Sequence, residues 1–463
     1  MLGRSRARNR AGLAAALARQ LPPEALALSD VAKRAYERDG LDVAGGRPLA
    51  VVLPECAGQV ADIVRECHRR GVPVVPRGAG TCRTGGAMPP EGSVVVSTTR
   101  MRRILDLDAV AGTIRVEAGV RNLAVSERAR DSGWFYAPDP SSRRTCTIGG
   151  NIATNAGGAG ALRHGVTVNH LASVTVILPD GEVATLGSAA HDAAGADIAA
   201  LLCGAEGQLG IVTEATLRLT PRPPATRSLL VACESAGAAV DTALGILRLG
   251  IVPLQMDIMD REAVALCEAF SPSGYPDGAV LLVQIGGIPE ELREAIERIS
   301  NIAAVSTIAT ASEAEASLWR GREAYYGAAM RKGPFLALDC AVPLGDLAAG
   351  LAGARVLALS HGLDCATFAH ATDGTIHAFI FHEGGDSGRR RGNACGDAIR
   401  VACARMGGTI SSEYGIGMEK RALMTAQFTA EELALQRRVV DAFQGAGDFN
   451  PGKVLPPIAE AAE

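Results

Sequence analysis

The chain has 463 residues, 48% hydrophobic, 21% charged and 4% aromatic, with a formal net charge of −4. That length accommodates two or three domains with cores of their own, and the lack of a long basic run excludes an extended nucleic-acid-binding face. No apolar stretch approaches the roughly 18 residues of a membrane span, and the eleven cysteines contain no C-x-x-C pair, so they read as buried thiols of a reducing, cytoplasmic compartment.

Arg4, Arg6, Arg8 and Arg10 precede the apolar run Ala11 to Ala18, with no acid before Glu24. Because Arg19 cuts that run short, the pattern predicts an amphipathic N-terminal helix rather than a targeting peptide. This helical segment, residues 1–46, is set apart from the first domain. Leu49 to Leu53 reads as a strand. Val60, Ile63, Val64 and Cys67 have the spacing of one helix face, ending at Gly71, and Val72 to Val75 completes a β-α-β unit. Ser93 to Ser97 is a further strand, and Ile104 to Asp108 with Thr113 to Ala118 form a hairpin around Ala111-Gly112.

A second lobe starts with strands Ser173 to Leu178 and Val183 to Leu186, joined by the turn Pro179-Asp180-Gly181-Glu182. A helix near Ala193 to Cys203 and a strand at Ile211 to Leu219 close it, and Pro221, Pro223 and Pro224 mark a boundary. Beyond them, strands near 228–233, 254–259, 279–285 and 335–342 alternate with helices such as Glu290 to Ile302. This predicts an α+β domain with a mainly antiparallel sheet. The partition is therefore 47–223, 224–428, and a last segment 429–463 with a helix at Ala430 to Phe443.

Two glycine-rich segments carry the first chemistry: Pro76-Arg77-Gly78-Ala79-Gly80-Thr81-Cys82-Arg83-Thr84-Gly85-Gly86 directly after a strand, and Thr147 to Gly158. Residues without Cβ let backbone N–H groups turn inward around an anion such as a pyrophosphate. Thr81, Asn151, Thr154 and Asn155 add neutral donors. Competing nucleotide motifs fail. There is no G-x-G-x-x-G, and Gly447 to Lys453, which has Walker-type spacing, is followed by Val454 where a Ser or Thr would bind magnesium.

These segments, together with Gly165-Val166-Thr167 and Glu206-Gly207-Gln208-Leu209-Gly210-Ile211-Val212-Thr213-Glu214, resemble the FAD-binding domain of the vanillyl-alcohol oxidase superfamily. The likeness is to the branch that holds the glycolate oxidase D subunit and the D-lactate and D-2-hydroxyglutarate dehydrogenases. It extends from Ala35 to Lys453. It implies a two-lobed PCMH-type FAD-binding domain with an α+β cap over the reactive ring. FAD would be held by Pro76, Arg77, Gly78, Ala79, Gly80, Thr81, Gly85 and Gly86. Pro140 would add a further contact, and the second loop would supply Thr147, Ile148, Gly150, Asn151, Ala153, Thr154, Asn155, Gly157 and Gly158. Gly207 would also contact the cofactor, Ile211 and Val212 would line the adenine side, and Asn450 would return to the flavin. Covalent attachment, for which Cys146 is the nearest thiol, is not expected.

The resemblance also implies a divalent metal (zinc, manganese or iron) on His370, His377 and Glu413, a donor set suited to such ions. Arg322 matches an arginine that pairs with the substrate carboxylate, a task that fits the guanidinium fork. In the family a histidine follows the metal-binding glutamate and acts as base; here that residue is Tyr414. A phenol with a reference pKa of about 10 is a weak base at neutral pH, which leaves Tyr414 activated by the metal, another base such as His382, or a different reaction. Leu344 and Ala337 stand where relatives carry a second cation, so a second substrate carboxylate is not expected. The implied function is FAD-dependent oxidation of a small D-2-hydroxy acid. The alternatives are an FAD-binding subunit with lost or altered catalysis and an oxidase of another alcohol. The implied partner is an iron–sulfur electron-transfer subunit, since this chain has no cysteine cluster of its own, and the location is cytoplasmic or peripheral to the inner face of the membrane.

Overall fold

The computed structural model describes residues 12–41, 43, 45–190, 195–445 and 447–457. By their contacts they fall into two units. Unit 1 takes the residues up to Gly157, Val166–Pro221 and those from Glu413 onward, and unit 2 takes Gly158–Gly165 and Arg222–Ser412. The arginine-rich start lies outside the described residues. The chain passes into unit 1 for the last time at Glu413, not at 428/429, because the backbone just beyond Glu413 is hydrogen-bonded to Glu206 and Thr84 of that unit. Among the described residues no helix is long and apolar enough to cross a membrane.

In unit 1, helix Leu13–Gln20 buries Leu13, Ala16 and Leu17. Strands β1 (Leu26–Ala27), β2 (Ala50–Val52), β3 (Val74–Arg77) and β4 (Val94–Ser97) form a sheet in the order β1-β2-β4-β3. The predicted helix occurs at Ala57–Arg70, burying Val60, Ile63, Val64 and Cys67 and stopping at Gly71 with φ 59°. It joins β2 to β3, but β4 lies between them and pairs in parallel with each. Valines fill this layer on both faces, as a covered parallel sheet requires.

The second sheet is antiparallel, β5-β6-β10-β8-β9, built from β5 (Ile104–Asp108), β6 (Thr113–Glu117), β8 (Leu171–Ile177), β9 (Val183–Gly187) and β10 (Ile211–Arg218). A short pair, β7 (Trp134–Phe135) with β11 (Thr220–Pro221), stands beside it. At the β5–β6 turn the Asp108 carboxylate accepts the N–H groups of Val110 and Ala111. Along β10, Ile211, Thr213, Ala215 and Leu217 are buried and alternate with half-buried residues. The predicted helix at 193–203 does not form over its described part. A single 3-10 turn, Ala200–Leu202, stands there. Asp197 accepts the Ala200 N–H, and Gly195 and Gly204 both adopt positive φ, so local side-chain bonding and glycine conformation replace the helical ladder.

Unit 2 is an antiparallel sheet of β12 (Ala225–Cys233), β13 (Gln255–Met259), β14 (Ala279–Gly287), β15 (Val305–Ala309), β16 (Phe335–Ala337), β17 (Cys340–Ala341), β18 (Asp364–His370) and β19 (Thr375–Phe381). The order is β15-β12-β14-β13-β18-β19-β16, with β17 also on β19. The run 335–342 is thus two strands. Asp339 breaks it by turning its buried carboxylate to the Ser411 hydroxyl and the Ser412 N–H. Successive strand residues enter different cores. Met256, Ile258, Ala369 and Ile376 join the helices Ala236–Arg248, Pro289–Ser300, Leu347–Ser360 and Gly385–Arg405. Met259, Phe368, Phe379 and Phe381 join Arg261–Phe270, Ser312–Glu323 and Tyr325–Lys332.

The turn between β18 and β19 depends on Gly374, at φ 81°, where an added Cβ would stand 2.0 Å from the Val342 carbonyl oxygen. Gly374→Ala should destabilise the protein by about 2 kcal/mol or more, since left-handed backbone and a backbone clash add. Gly353→Ala, inside helix Leu347–Ser360 with open space at its Cβ, should stabilise by about 0.5–1 kcal/mol. Denaturant melts of both variants check the contrast, and equal effects would contradict it.

Candidate active site

In unit 1 the two glycine loops line one cleft with some 1330 Å³ of empty space, open solvent at its mouth included. The first loop leaves β3 as Pro76, Arg77, Gly78, Ala79, Gly80 and Thr81. The second supplies Thr147, Gly150, Asn151, Ala153, Thr154 and Gly157, and Gly86, Pro140, Gly207, Ile211 and Val212 close the wall. A Cβ on Gly78 would fall 2.4 Å from Thr147 Oγ1, so only glycine lets the loops approach this closely. Thr81, Thr98, Ser141 and Ser142 are among the lining residues, and with the glycine backbone they offer neutral donors of the kind that wrap a dinucleotide pyrophosphate. Asn450 donates its Nδ2 to the carbonyls of Gly86 and Glu206, while its buried Oδ1 has no partner among the described residues.

Several predicted contacts serve the scaffold. Arg77 donates to the carbonyls of Arg38 and Ala87 and lies over the Tyr36 ring. Asn151 is buried, taking the Asn122 amide on its Oδ1 and reaching Cys146 Sγ with its Nδ2. Asn155 ends helix Ile148–Thr154 in left-handed conformation and accepts the Val168 N–H. Gly85, Ile148, Asn155, Gly158 and Asn450 are absent from the cleft lining, and Gly158 falls in unit 2. Burial raises the Cys146 thiol, which keeps it protonated. Glu413 and Tyr414 both reach the cleft, half-buried. The Tyr414 carbonyl accepts from Thr84 Oγ1, and Lys420 Nζ stands 5.7 Å from its ring centroid.

Unit 2 holds the other candidates. The β13–β18 register sets Asp257 directly across from His370, and the β18–β19 register sets Phe368 across from His377. Asp257 Oδ1 lies 2.7 Å from His370 Nδ1, and Asp257 Oδ2 takes the Nε of Arg322. His370 Nε2 faces His377 Nε2 at 3.3 Å, and His377 Nδ1 reaches the Leu338 carbonyl at 3.3 Å. Arg322 lies over the Phe368 ring, which also stacks on the His377 imidazole. Burial works against charge on Asp257, but the Arg322 guanidinium and the His370 imidazole outweigh it and hold the carboxyl well below its usual range. Arg322, expected as a substrate clamp, thus gives its Nε to Asp257. His382 accepts the Gly384 N–H at the end of β19.

Sequence reasoning missed Asp257 and Glu206. A carboxylate between Met256 and Ile258 in an apolar strand is the signal for the first, while the second sits unmarked inside a glycine motif. Glu206 lines the cleft at φ 48°, and its carboxylate accepts the N–H groups of Ile416 and Gly417. Burial pushes its pKa up from 4.5 to about 7, against those N–H groups and the charges of Lys420 and Lys453. Between these two values the folded chain keeps a proton that the unfolded chain has lost. The protonated group therefore favours folding fully below about 4.5, and that contribution is lost as pH rises through about 7. The expected loss is about 3 kcal/mol. Glu206→Gln should flatten this decline in thermal melts of the FAD-loaded protein from pH 5 to 8, and an unchanged slope would rule it out.

Comparison with known proteins accords with this geometry. A family model described as an FAD binding domain matches residues 48–187, and one for the C-terminal domain of FAD linked oxidases matches residues 222–454. The glycolate oxidase subunit GlcD of Escherichia coli (strain K12) is 40% identical over 437 residues, covering 92% of this chain and 88% of that protein. A D-2-hydroxyglutarate dehydrogenase of Xanthomonas citri pv. viticola is 33% identical over 440 residues, covering 91% and 92%. Among solved structures, 4-ethylphenol oxidase from Gulosibacter chungangensis superposes with a TM-score of 0.80 at 19% identity, covering 97% of this chain and 98% of that one, which shows a shared fold. With both models matched in order and relatives aligned along nine-tenths of its length, the chain belongs to the FAD-linked oxidases, oxidoreductases with a PCMH-type FAD-binding fold and an α+β C-terminal domain.

Proposed function

We propose that the protein dehydrogenates a small D-2-hydroxy acid, glycolate or D-lactate in type, to the corresponding 2-keto acid. The substrate carbon loses hydride, its hydroxyl loses a proton, and bound FAD supplies the two-electron acceptor. The relatives named for glycolate, D-lactate and D-2-hydroxyglutarate support the substrate class. The missing second cation at Leu344 and Ala337 favours a monocarboxylate.

The observation that carries the reading is the facing pair of imidazoles. An ionised carboxylate only accepts, so His370 carries its proton on Nδ1. His377 likewise donates from Nδ1 to the Leu338 carbonyl. In the neutral state both Nε2 atoms then present lone pairs to the same point, 3.3 Å apart, an arrangement that a shared cation suits. Two nitrogens bound at about 2.0–2.1 Å to one tetrahedral ion stand about 3.3–3.4 Å apart. This donor chemistry fits zinc, manganese or iron, with Glu413 as the proposed carboxylate ligand. Such an ion would lower the pKa of the substrate hydroxyl. Arg322 is the proposed cation for the acid's carboxylate, and Tyr414, on the cleft, is the proposed proton acceptor. Electrons would leave through a partner, in keeping with the word subunit in the name of GlcD.

Anaerobic mixing with a panel of D- and L-2-hydroxy acids tests the function. Bleaching of the flavin by a D-acid is expected. A flavin that light reduces but no acid bleaches would favour a non-catalytic subunit, and bleaching only by neutral or phenolic alcohols would favour a different oxidase. Tyr414→His should raise turnover of the acid, because imidazole titrates near neutrality and a phenol does not; equal or lower turnover would reject Tyr414 as the limiting base. His370→Ala and His377→Ala should each lower bound metal at constant FAD content. Elemental analysis that finds no metal in the unmodified protein, expressed with metal supplied, would remove the ion from the scheme.

A further inference from the structure

We propose that Asp257 is a positioning residue that locks His370 in the tautomer whose Nε2 lone pair faces His377, and that Arg322 keeps Asp257 committed to this task. The inference rests on the metal reading of the histidine pair given above and adds to it the group that prepares one ligand. Asp257 and His370 are cross-strand partners on β13 and β18, both almost fully buried. The carboxylate divides its two oxygens, Oδ1 for His370 Nδ1 and Oδ2 for Arg322 Nε. Both neighbours must therefore be donors at these atoms, and the His370 proton is fixed on Nδ1. Arg322 is held in turn by its own backbone, whose N–H donates to Tyr275 Oη, and by the Phe368 ring under its guanidinium.

An amide at position 257 separates this role from simple packing. Arg322 can only donate, so the single oxygen of Asp257→Asn is claimed by Arg322 and its NH₂ turns to His370. Imidazole Nδ1 must then accept, the proton moves to Nε2, and the lone pair toward His377 is lost. Removing Arg322 as well, in Asp257→Asn/Arg322→Met, frees the amide to present its oxygen to His370 again. Asp257→Ala/Arg322→Met also leaves no buried charge, yet it gives His370 no partner.

The test is titration of the metal-stripped, FAD-loaded full chain with cobalt(II), read from its visible absorption, with flavin content as the check on folding. Asp257→Asn should bind cobalt about 10- to 100-fold more weakly than the unmodified chain, the usual effect of removing a ligand's hydrogen-bond partner. Asp257→Asn/Arg322→Met should recover much of the affinity, and Asp257→Ala/Arg322→Met should not. If Asp257→Asn loses its flavin, the two uncharged double variants carry the comparison alone. Equal cobalt affinity in those two, or unmodified affinity in folded Asp257→Asn, overturns the positioning role while leaving the metal reading intact. Absence of cobalt binding by the unmodified chain overturns both.

Discussion

A carboxylate closed off from water stays ionised only if donors surround it, and unit 2 meets that demand at Asp257. Its two oxygens are taken by Arg322 and His370; withdrawing Arg322 would strand a buried charge, and withdrawing His370 would leave one buried oxygen without its donor. The demand reaches beyond the three side chains. Asp257 meets His370 only because β13 and β18 pair in one register, and a slip of one residue would send the carboxylate into the core of Met256 and Ile258. Arg322 arrives from helix Ser312–Glu323, which Tyr275 ties down by donating its hydroxyl to the Leu318 carbonyl. The polar chain and the sheet register therefore specify one another.

Much of the fold was legible because the periodicities are plain. The i, i+3, i+4, i+7 face of Ala57–Arg70 and the turn at Gly181 appear where the pattern predicts, as do the strands 225–233, 255–259 and 279–287. What stayed hidden depended on contacts distant in sequence. Nothing local says that β4 should enter between β2 and β3. Nor does the apolar run 335–342 announce that Asp339 will leave the ladder for Ser411 and Ser412, some seventy residues on. At 193–203 the alanines suggested a helix, but Asp197 and two positive-φ glycines favour turns over the short described span.

Legibility of the candidate site divides along the same line. Glycines report on backbone, so the loops after β3 and before helix Ile148–Thr154 could be assigned to one cleft from sequence. The polar residues within them were harder to read. Asn151 and Arg77 look like ligand donors alone in a motif, yet, while lining the cleft, they also hold loops together. Asp257 shows the reverse error. It stands in no motif, and only the strand pairing reveals that it sits opposite a histidine.

Tyr414 is where these two kinds of constraint separate. Its backbone is fastened within the cofactor-binding unit, since Thr84 donates to its carbonyl and Glu206 takes the N–H groups of Ile416 and Gly417. Those anchors are made by main chain and by residues other than 414, so they do not depend on which side chain it carries. The histidines, for their part, are set by the sheet of unit 2 and its polar chain. A different side chain at 414 therefore leaves these backbone anchors in place. What such a change alters at the cleft wall is the proton affinity of one group, and under the proposed function that group is the one that takes the substrate's proton.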